Sequence, residues 1–416
     1  MSRVVVEIRG ALDDKPFRQS FVLGEDVKTS WASAFGARGL NERSSDLFDV
    51  AAAVVRAERM HPGWRTANRP RTVTLQVPLR DPGAWAAGGA SALGRALWIL
   101  TGAQWVLVPS QRRRTLPLPH DVGSESRVNQ VILFSGGLDS TSGAAAATSA
   151  AATTRLVSVY SREKTLQREL AAELGFEPPF QANVDFADLR RRATLTRSLL
   201  FLALGAVVAV SHGCTRLVQF ENGILAHAVA PVPGIMMTRH AHPSFHRAME
   251  ALFQAVLGDR VLIANPFLML TKRQCVENAL KAWDDRDSLA KVLARTQTCW
   301  FHWSNHGHRG EKRPGQACGL CVPCIIRRTT PVASTFGQNL LAKKVRQDPG
   351  KSVMFLDLAA FLREVKLSRD GGGFYRLLDA DSRVLVAAAG ADLGDVRRLY
   401  TRFADEFAET FQLRWR

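Results

Sequence analysis

The sequence predicts an α/β protein built on a doubly wound parallel sheet, with an N-terminal α+β domain and a helical C-terminal region beside it. Three observations predict this. From about residue 124 onward, strand-like apolar runs alternate with helix-like stretches, and βαβ alternation implies parallel strands covered by helices. At 416 residues the chain is long enough for two or three domains. Ser110 to Ser126 has turn and linker composition, with Pro117, Pro119 and Gly123, and marks a domain boundary. The division that follows is 1–122, 123–330 and 331–416.

In the N-terminal region, Val4 to Ile8, Thr72 to Leu79 and Trp105 to Pro109 read as strands. Ser45 to Met60 reads as a helix carrying Leu47, Val50, Val54 and Val55 at helical spacing. Ser91 to Leu100 reads as another. No catalytic constellation stands out here, so the region serves either recruitment or scaffolding. Arg112, Arg113 and Arg114 read as a solvated linker run. In the central region, Val131 to Phe134 is a buried strand and the alanine-rich stretch after it a helix of high propensity. Then come a strand Arg155 to Tyr160, a helix to Leu174 capped by Gly175, and a strand-like turn Phe180 to Val184. A long helix Thr194 to Ser211, a strand Arg216 to Phe220 and a last strand Val261 to Phe267 complete the region. In sheets of this kind ligands sit at the carboxyl ends of the strands, so Ser135, Tyr160-Ser161-Arg162 and Glu221-Asn222-Gly223 are expected to face one crevice. In the C-terminal region, Phe355 to Leu362 and Ala391 to Leu413 show helical spacing. Gly371-Gly372-Gly373 reads as a flexible break, and the region as a closing bundle or dimer interface.

Hydrophobic residues make up 46% of the chain and the net charge is +17. The excess favours anionic partners, whether nucleotide, nucleic acid or acidic protein; many arginines also follow from a GC-rich genome. The N-terminal stretch lacks an apolar signal-peptide core. The longest apolar run, Leu199 to Val210, falls short of the roughly 20 residues of a membrane span. A cytoplasmic protein is the expectation.

Between the first central strand and its helix lies Ser135-Gly136-Gly137-Leu138-Asp139-Ser140-Thr141. Two glycines allow a sharp turn with no Cβ in the way. Backbone N–H groups at such a turn and at the helix start can cradle an anion, and the hydroxyls of Ser135, Ser140 and Thr141 add donors. No Gly-Lys-Ser/Thr ending follows, so this is not a Walker-type loop. Arg239, His240 and His242 lie in a loop where they either touch substrate or sit on the surface. Lys272 opens a helix, where it either reaches a phosphate or is solvated.

Of six cysteines, four cluster late in the chain as Cys299, Cys318, Cys321 and Cys324. Cys-x-x-Cys-x-x-Cys with one distant Cys suits a tetrahedral zinc site, and Gly319 permits the tight turn. An iron–sulfur cluster and redox cysteines are the alternatives. His302 stands at Cys-x-x-His spacing after Cys299 and can replace one ligand; His306 and His308 are near it in sequence. Cys214 and Cys275 read as core residues.

The Ser-Gly-Gly-x-Asp-Ser stretch resembles the PP-loop of the ATP pyrophosphatase superfamily, which implies an adenine nucleotide α-hydrolase-like fold. With Arg197, Phe201 and Leu202 on a long helix, Thr298-Cys299, and Cys318 to Arg327 as Cys-Gly-x-Cys-x-x-Cys-x-x-Arg, residues 125 to 330 resemble the 7-cyano-7-deazaguanine synthase (QueC) family. The resemblance implies adenylation of the carboxylate of 7-carboxy-7-deazaguanine by Mg-ATP, release of pyrophosphate into the loop, and attack by an amine with loss of AMP. It implies phosphate binding by Ser135, Gly136, Gly137, Leu138, Asp139, Ser140 and Thr141, with Mg²⁺ held through Asp139. Tyr160, Arg162, Glu221, Arg197 and Lys272 are further nucleotide or substrate candidates; Asp139, Ser135, Ser140, Arg197 and Lys272 are the catalytic ones. ATP, Mg²⁺ and Zn²⁺ are the expected cofactors. The chain departs from the family at Val159-Tyr160-Ser161-Arg162, where the synthase has Asp-Tyr-Gly-Gln, and again at Met237 to Pro243. Its flanks have no counterpart there. Large QueC-like members of this kind occur in bacterial anti-phage operons such as the Qat system, which implies a protein as the amine acceptor. The rival expectations are ordinary nitrile formation for queuosine, a tRNA-modifying PP-loop enzyme, and a nucleotide-binding subunit without turnover. No membrane partner is expected, and an oligomer is compatible with the sequence.

Overall fold

A computed structural model describes residues 4–12, 15–31, 35–60, 72–113, 127–160, 164–186, 194–229, 238–299, 317–332, 336, 349–368 and 370–415. The strands are β1 (Val4–Leu12), β2 (Lys15–Leu23), β3 (Val27–Trp31), β4 (Thr72–Leu79), β5 (Gln104–Gln111), β6 (Gln130–Leu133), β7 (Thr154–Tyr160), β8 (Phe180–Phe186), β9 (Arg216–Gln219) and β10 (Leu262–Ala264). The main helices are α1 (Glu42–Met60), α2 (Ala90–Thr101), α3 (Leu138–Ala146), α4 (Lys164–Glu173), α5 (Arg197–Ser211), α6 (Gly223–His227), α7 (Pro243–Leu257), α8 (Lys272–Ala282), α9 (Arg286–Ala294), α10 (Val322–Arg327), α11 (Pro349–Leu367), α12 (Gly371–Leu377), α13 (Ala380–Ala388) and α14 (Leu393–Phe411).

The chain divides into two compact units. The first holds Met1–Ser135, Ala150–Gln219 and Phe245–Ala264. It is organised on one sheet of ten strands, in the order β10-β9-β6-β7-β8-β3-β2-β1-β4-β5. The class is α/β, with a mixed sheet. Strands β10, β9, β6, β7 and β8 run parallel throughout. The N-terminal strands join this block through the antiparallel pair β3–β8, so residues 1–122 supply half of one continuous sheet. Strands β2 and β3, which lack a clean apolar alternation, were not legible beforehand. Within the parallel block the chain moves outward from β6 to β7 and β8, then returns to β9 on the other side of β6. The segments that follow β6 and β9 therefore leave from neighbouring strands.

The core of this unit follows from the periodicity. Val131, Ile132, Leu133 and Phe134 are fully buried, as befits a strand covered on both faces. From Leu199 to Val210 helix α5 is apolar all round and, apart from the half-buried Phe201, buried. Its start is capped at a distance: the Glu58 carboxylate accepts from the Leu195 and Thr196 N–H groups (2.8 and 2.9 Å) and from the Thr196 hydroxyl (2.6 Å). Arg112 is not solvated as expected. It is buried and pairs with Asp49 at 3.3 Å, beside the buried Arg80–Asp46 ion pair. Asp49 draws it in, which no linear pattern reveals. Arg114 and most of the linker lie outside the described residues.

The second unit holds Gly136–Ser149, Phe220–Ser244 and Asn265–Arg416. It is helical, and its core joins Cys318, Cys321 and Cys324 to Phe355, Phe361, Phe374, Tyr400, Phe403 and Phe407. The triglycine is not a break. Gly371 to Gly373 form the first turn of α12, because Asp370 caps the helix by accepting from the Gly373 N–H at 2.6 Å and Phe374 anchors it in the core. Among the described residues no helix is long and apolar enough to cross a membrane.

Gly143 is required by a close approach. A Cβ there would lie 2.0 Å from the Phe220 ring, which itself packs on Phe267. Gly143→Ala would gain up to about 1 kcal/mol of helix propensity but incur an overpacking cost of about 1–3 kcal/mol. The variant is expected to unfold at lower urea concentration than wild type with an unchanged slope; a higher midpoint would refute the contact.

Candidate functional site: a buried carboxylate–lysine relay beside a four-cysteine cluster

Strand β6 delivers the chain into the Ser-Gly-Gly turn. The Phe134 N–H donates to the Val157 carbonyl (2.7 Å), and the Ser135 carbonyl accepts from Gln167 Nε2 (3.2 Å). Gln167 is in turn fixed by Gln181, 3.1 Å away. Gly136 takes a left-handed φ of 75°, which a side chain would resist. Gly137 then caps α3 in an extended conformation. Ser140, Thr141 and Asp139 are buried in the first turn of α3, and Ser140 Oγ donates to the Gly137 carbonyl at 3.1 Å. Ser135 is exposed. Among the described residues, Thr141 Oγ1 and Asp139 Oδ1 are buried without an N–H or hydroxyl partner.

Asp139 is the hub. Its Oδ2 accepts from Lys272 Nζ at 2.8 Å and from Asn222 Nδ2 at 2.9 Å. Asn222 also donates to Glu221 Oε1 at 2.9 Å, and Glu221 Oε2 meets His240 Nε2 at 2.8 Å. His240 Nδ1 lies 2.9 Å from the Thr238 hydroxyl and 3.1 Å from its carbonyl, so one ring nitrogen is held by Thr238 and the other faces Glu221. The line Lys272–Asp139–Asn222–Glu221–His240 grades from a fully buried lysine side chain to a histidine one quarter exposed.

Each member is placed by local structure. Lys272 is the first residue of α8, behind the Thr271 capping box. Asn222 caps α6 by accepting from the Leu225 N–H at 3.3 Å. The Glu221 backbone is pinned by Asn265, which accepts from its N–H (3.2 Å) and donates to its carbonyl (2.8 Å). The electrostatics follow. Burial alone would raise Asp139, but the Lys272 ammonium and the hydrogen bonds around it hold its carboxyl below the ordinary value. Glu221 is pushed up to about 7, by burial first and then by the charge of Asp139, against the pull of His240. Burial works to lower His240, yet the Glu221 hydrogen bond and charge prevail and raise it. The two carboxyls are thus pushed in opposite directions, Asp139 down and Glu221 up.

Lys272 is therefore not a solvated helix-start lysine. Among the described residues its ammonium has one hydrogen-bond partner, Asp139. Arg197 is exposed at the first position of α5 and makes none of these contacts. Tyr160 ends β7. Arg162, His302, His306 and His308 lie outside the described residues. Asn222 escaped sequence reasoning as a bridge, because a buried amide between two carboxyls carries no spacing signal.

The sulfurs of Cys299, Cys318, Cys321 and Cys324 all lie within 4.8 Å of one another. Cys318 and Cys324 Sγ are 4.0 Å apart, as are Cys299 and Cys321 Sγ. A tetrahedral ion with sulfur bonds of about 2.3 Å puts its sulfurs about 3.8 Å apart, whereas a disulfide needs about 2.0 Å. The Cys318 N–H donates to Cys299 Sγ (3.3 Å) and the Cys321 N–H to Cys318 Sγ (3.3 Å), bonds that favour thiolates. Gly319 supplies the turn at φ 81°. These four residues can hold a metal ion such as zinc. Three are buried in the apolar core and Cys299 is partly buried. The cluster also reaches the turn. Arg327 in α10 donates to Thr296 and Leu293 carbonyls (2.8 and 3.0 Å), and in that same segment the Gln297 N–H donates to the Gly136 carbonyl (3.2 Å). Cys214 and Cys275 are isolated and buried, as expected of core residues.

No protein-family model matches the chain, and no curated protein matches it.

Two outcomes follow. Purified protein is expected to carry about one equivalent of zinc by elemental analysis, lost in Cys318→Ser and Cys321→Ser; a metal-free, fully folded protein would refute the cluster. Asp139→Ala is expected to cost about 3–5 kcal/mol in urea unfolding, because it strands the Lys272 charge. Adding Lys272→Met should restore much of the loss; additive losses would refute the pairing.

Proposed function

We propose that this chain is an ATP-dependent, AMP-forming ligase of the QueC type. It adenylates the carboxylate of 7-carboxy-7-deazaguanine and couples the acyl group to an amine, with a protein partner in bacterial anti-phage defence as the acceptor. One observation carries the reading: the Ser-Gly-Gly-Leu-Asp-Ser turn leaves a central parallel strand and brings Asp139 onto a buried lysine. The strand order supports it. The block β10-β9-β6-β7-β8 reads as a doubly wound, PP-loop-type sheet, and its direction reverses between β6 and β9, the position where such sheets bind ligands.

On this reading the turn and the start of α3 receive the leaving pyrophosphate, and Lys272 supplies its remaining N–H donors to the phosphates. Asp139 and Glu221 are the carboxylates that would hold a divalent ion brought with ATP; the unpartnered Asp139 Oδ1 fits that role. Such an ion would neutralise phosphate charge. Catalysis then rests on positioning and on fixed donors. The cysteine cluster fits structural zinc, four thiolates leaving no place for substrate. Cytoplasmic location accompanies the reading.

The test is a product assay with Mg-ATP, 7-carboxy-7-deazaguanine and ammonium, read by mass spectrometry. Wild type is expected to release AMP and pyrophosphate, and Lys272→Met to lose roughly 100-fold or more. Nitrile formation would make it an ordinary synthase. Amide or adenylate alone would send the search to a protein amine. No AMP under any of these conditions would overturn the reading.

A further inference from the structure

Helix α14 grips both segments that converge on Asp139. On the Lys272 side, the hydroxyl of Thr271 donates to Glu406 Oε1 at 2.6 Å while accepting from the Gln274 N–H at 3.2 Å. Arg402 NH1 donates to Gln274 Oε1 at 2.8 Å. Arg273 bonds Glu409, and donates to Thr410 Oγ1 at 3.2 Å. Residues 271, 273 and 274 are thus all held by one face of α14, and the residue between them, Lys272, is turned the other way onto Asp139. On the Asn222 side, Tyr400 Oη donates to the Ile224 carbonyl at 2.8 Å and accepts from the Val229 N–H at 3.4 Å. Gly223 leaves room for this: a Cβ there would meet Leu399 Cδ2 at 2.5 Å and the Leu268 carbonyl at 2.1 Å.

A bundle that merely closes a core needs apolar contacts, and α14 has them in Phe403, Phe407 and Phe411. Glu406 is the exception. It is the charged residue among the buried positions of α14, and among the described residues its second oxygen, Oε2, makes no hydrogen bond. A half-satisfied buried carboxyl costs stability. Placing one against the cap of the helix that begins with Lys272 makes sense if that cap must be held in one position.

We infer that Glu406 is a positioning residue: through the Thr271 hydroxyl it fixes the start of α8 and so sets where Lys272 meets Asp139. The inference rests on the ligase reading only for its consequence, weaker nucleotide binding when the grip is lost; the placement of Lys272 is readable without it.

Glu406 faces Thr271, Arg273, Glu277 and Arg402, and burial leads in raising its carboxyl to about 7. The folded state then keeps a proton that the unfolded chain has released above about 4.5. That contribution to stability is greatest below 4.5 and is lost as pH rises through 7. Glu406→Gln keeps the hydrogen bond and never ionises, so its Tm relative to wild type should climb between pH 4.5 and 7.5.

The experiment is pulse acetylation of the full chain with acetic anhydride at pH 7.5, with per-lysine labelling read by peptide mass spectrometry on wild type, Glu406→Gln, Glu406→Ala and Thr271→Val. Pyrophosphate and ATP affinities are measured in parallel by calorimetry. Lys272 is expected to label at least 10-fold more slowly than exposed lysines such as Lys281 in wild type and in Glu406→Gln. It should become at least 5-fold faster in Glu406→Ala and in Thr271→Val, with other lysines unchanged. Unchanged Lys272 protection in a folded Glu406→Ala, or in Thr271→Val should the former not fold, would overturn the inference. So would equal loss of protection at all lysines, which marks general loosening. Altered protection with no ATP or pyrophosphate bound by wild type would uphold the inference and sink the ligase reading instead.

Discussion

The second unit is arranged around a 2.8 Å ion pair sealed from water, Lys272 with Asp139. Burying either charge alone is expensive, so the segments that supply them must meet. The two are not equivalent. Asp139 sits in the first turn of α3, where the helix dipole favours a carboxylate. Lys272 sits in the first turn of α8, where the dipole opposes an ammonium. A lysine placed against its own helix and out of water breaks two local preferences at once. Such violations concentrate where a protein needs the group for something other than stability.

The four-cysteine cluster acts on the same region from another side. Cys299 ends the segment that carries Gln297 and Thr298, and Cys324 opens the turn of helix that carries Arg327. Arg327 spends its guanidinium on carbonyls of residues 293, 294 and 296 and on the Thr298 hydroxyl. A metal ion joining the cysteines would therefore fix both ends of a short span whose middle donates to Gly136. The loop that turns at φ 75° is held by this backbone bond as well as by its own glycines.

Much of this was readable before any coordinates. The apolar run 131–134, the glycine pair after it and the cysteine spacing each obey a local rule, and the strand, the turn and the clustered sulfurs appear where those rules put them. Three things were not readable. Arg112 belongs to a basic run and so looks solvated, yet Asp49, far away in sequence, draws it in. Gly371-Gly372-Gly373 looks like a break, yet one acceptor on Asp370 and one anchor at Phe374 outweigh the weak propensity of glycine. Lys272 stands among the candidate residues, yet its burial and its partner are not legible, because Asp139 lies more than a hundred residues away. For Arg112 and Lys272 the deciding interaction is long-range and polar, and polar partners leave no period in a sequence; for the triglycine it is a local cap and an apolar anchor.

The charge of the relay bears on what it can receive. Lys272 and Asp139 cancel. When the pair carries one proton beyond a carboxylate and a neutral imidazole, Glu221 and His240 cancel as well, whether that proton rests on oxygen or on nitrogen. The relay is therefore neutral while that proton stays and negative once it leaves. A polyanion approaching Lys272 penalises the negative state, so its arrival favours the proton-bound form of Glu221 and His240. A divalent cation at the two carboxylates has the opposite preference and expels the proton. Anion and cation arriving together leave the relay close to balance, whereas either alone does not. On the proposed ligase reading, a site built this way would prefer a phosphate chain that comes with its metal ion over either component by itself.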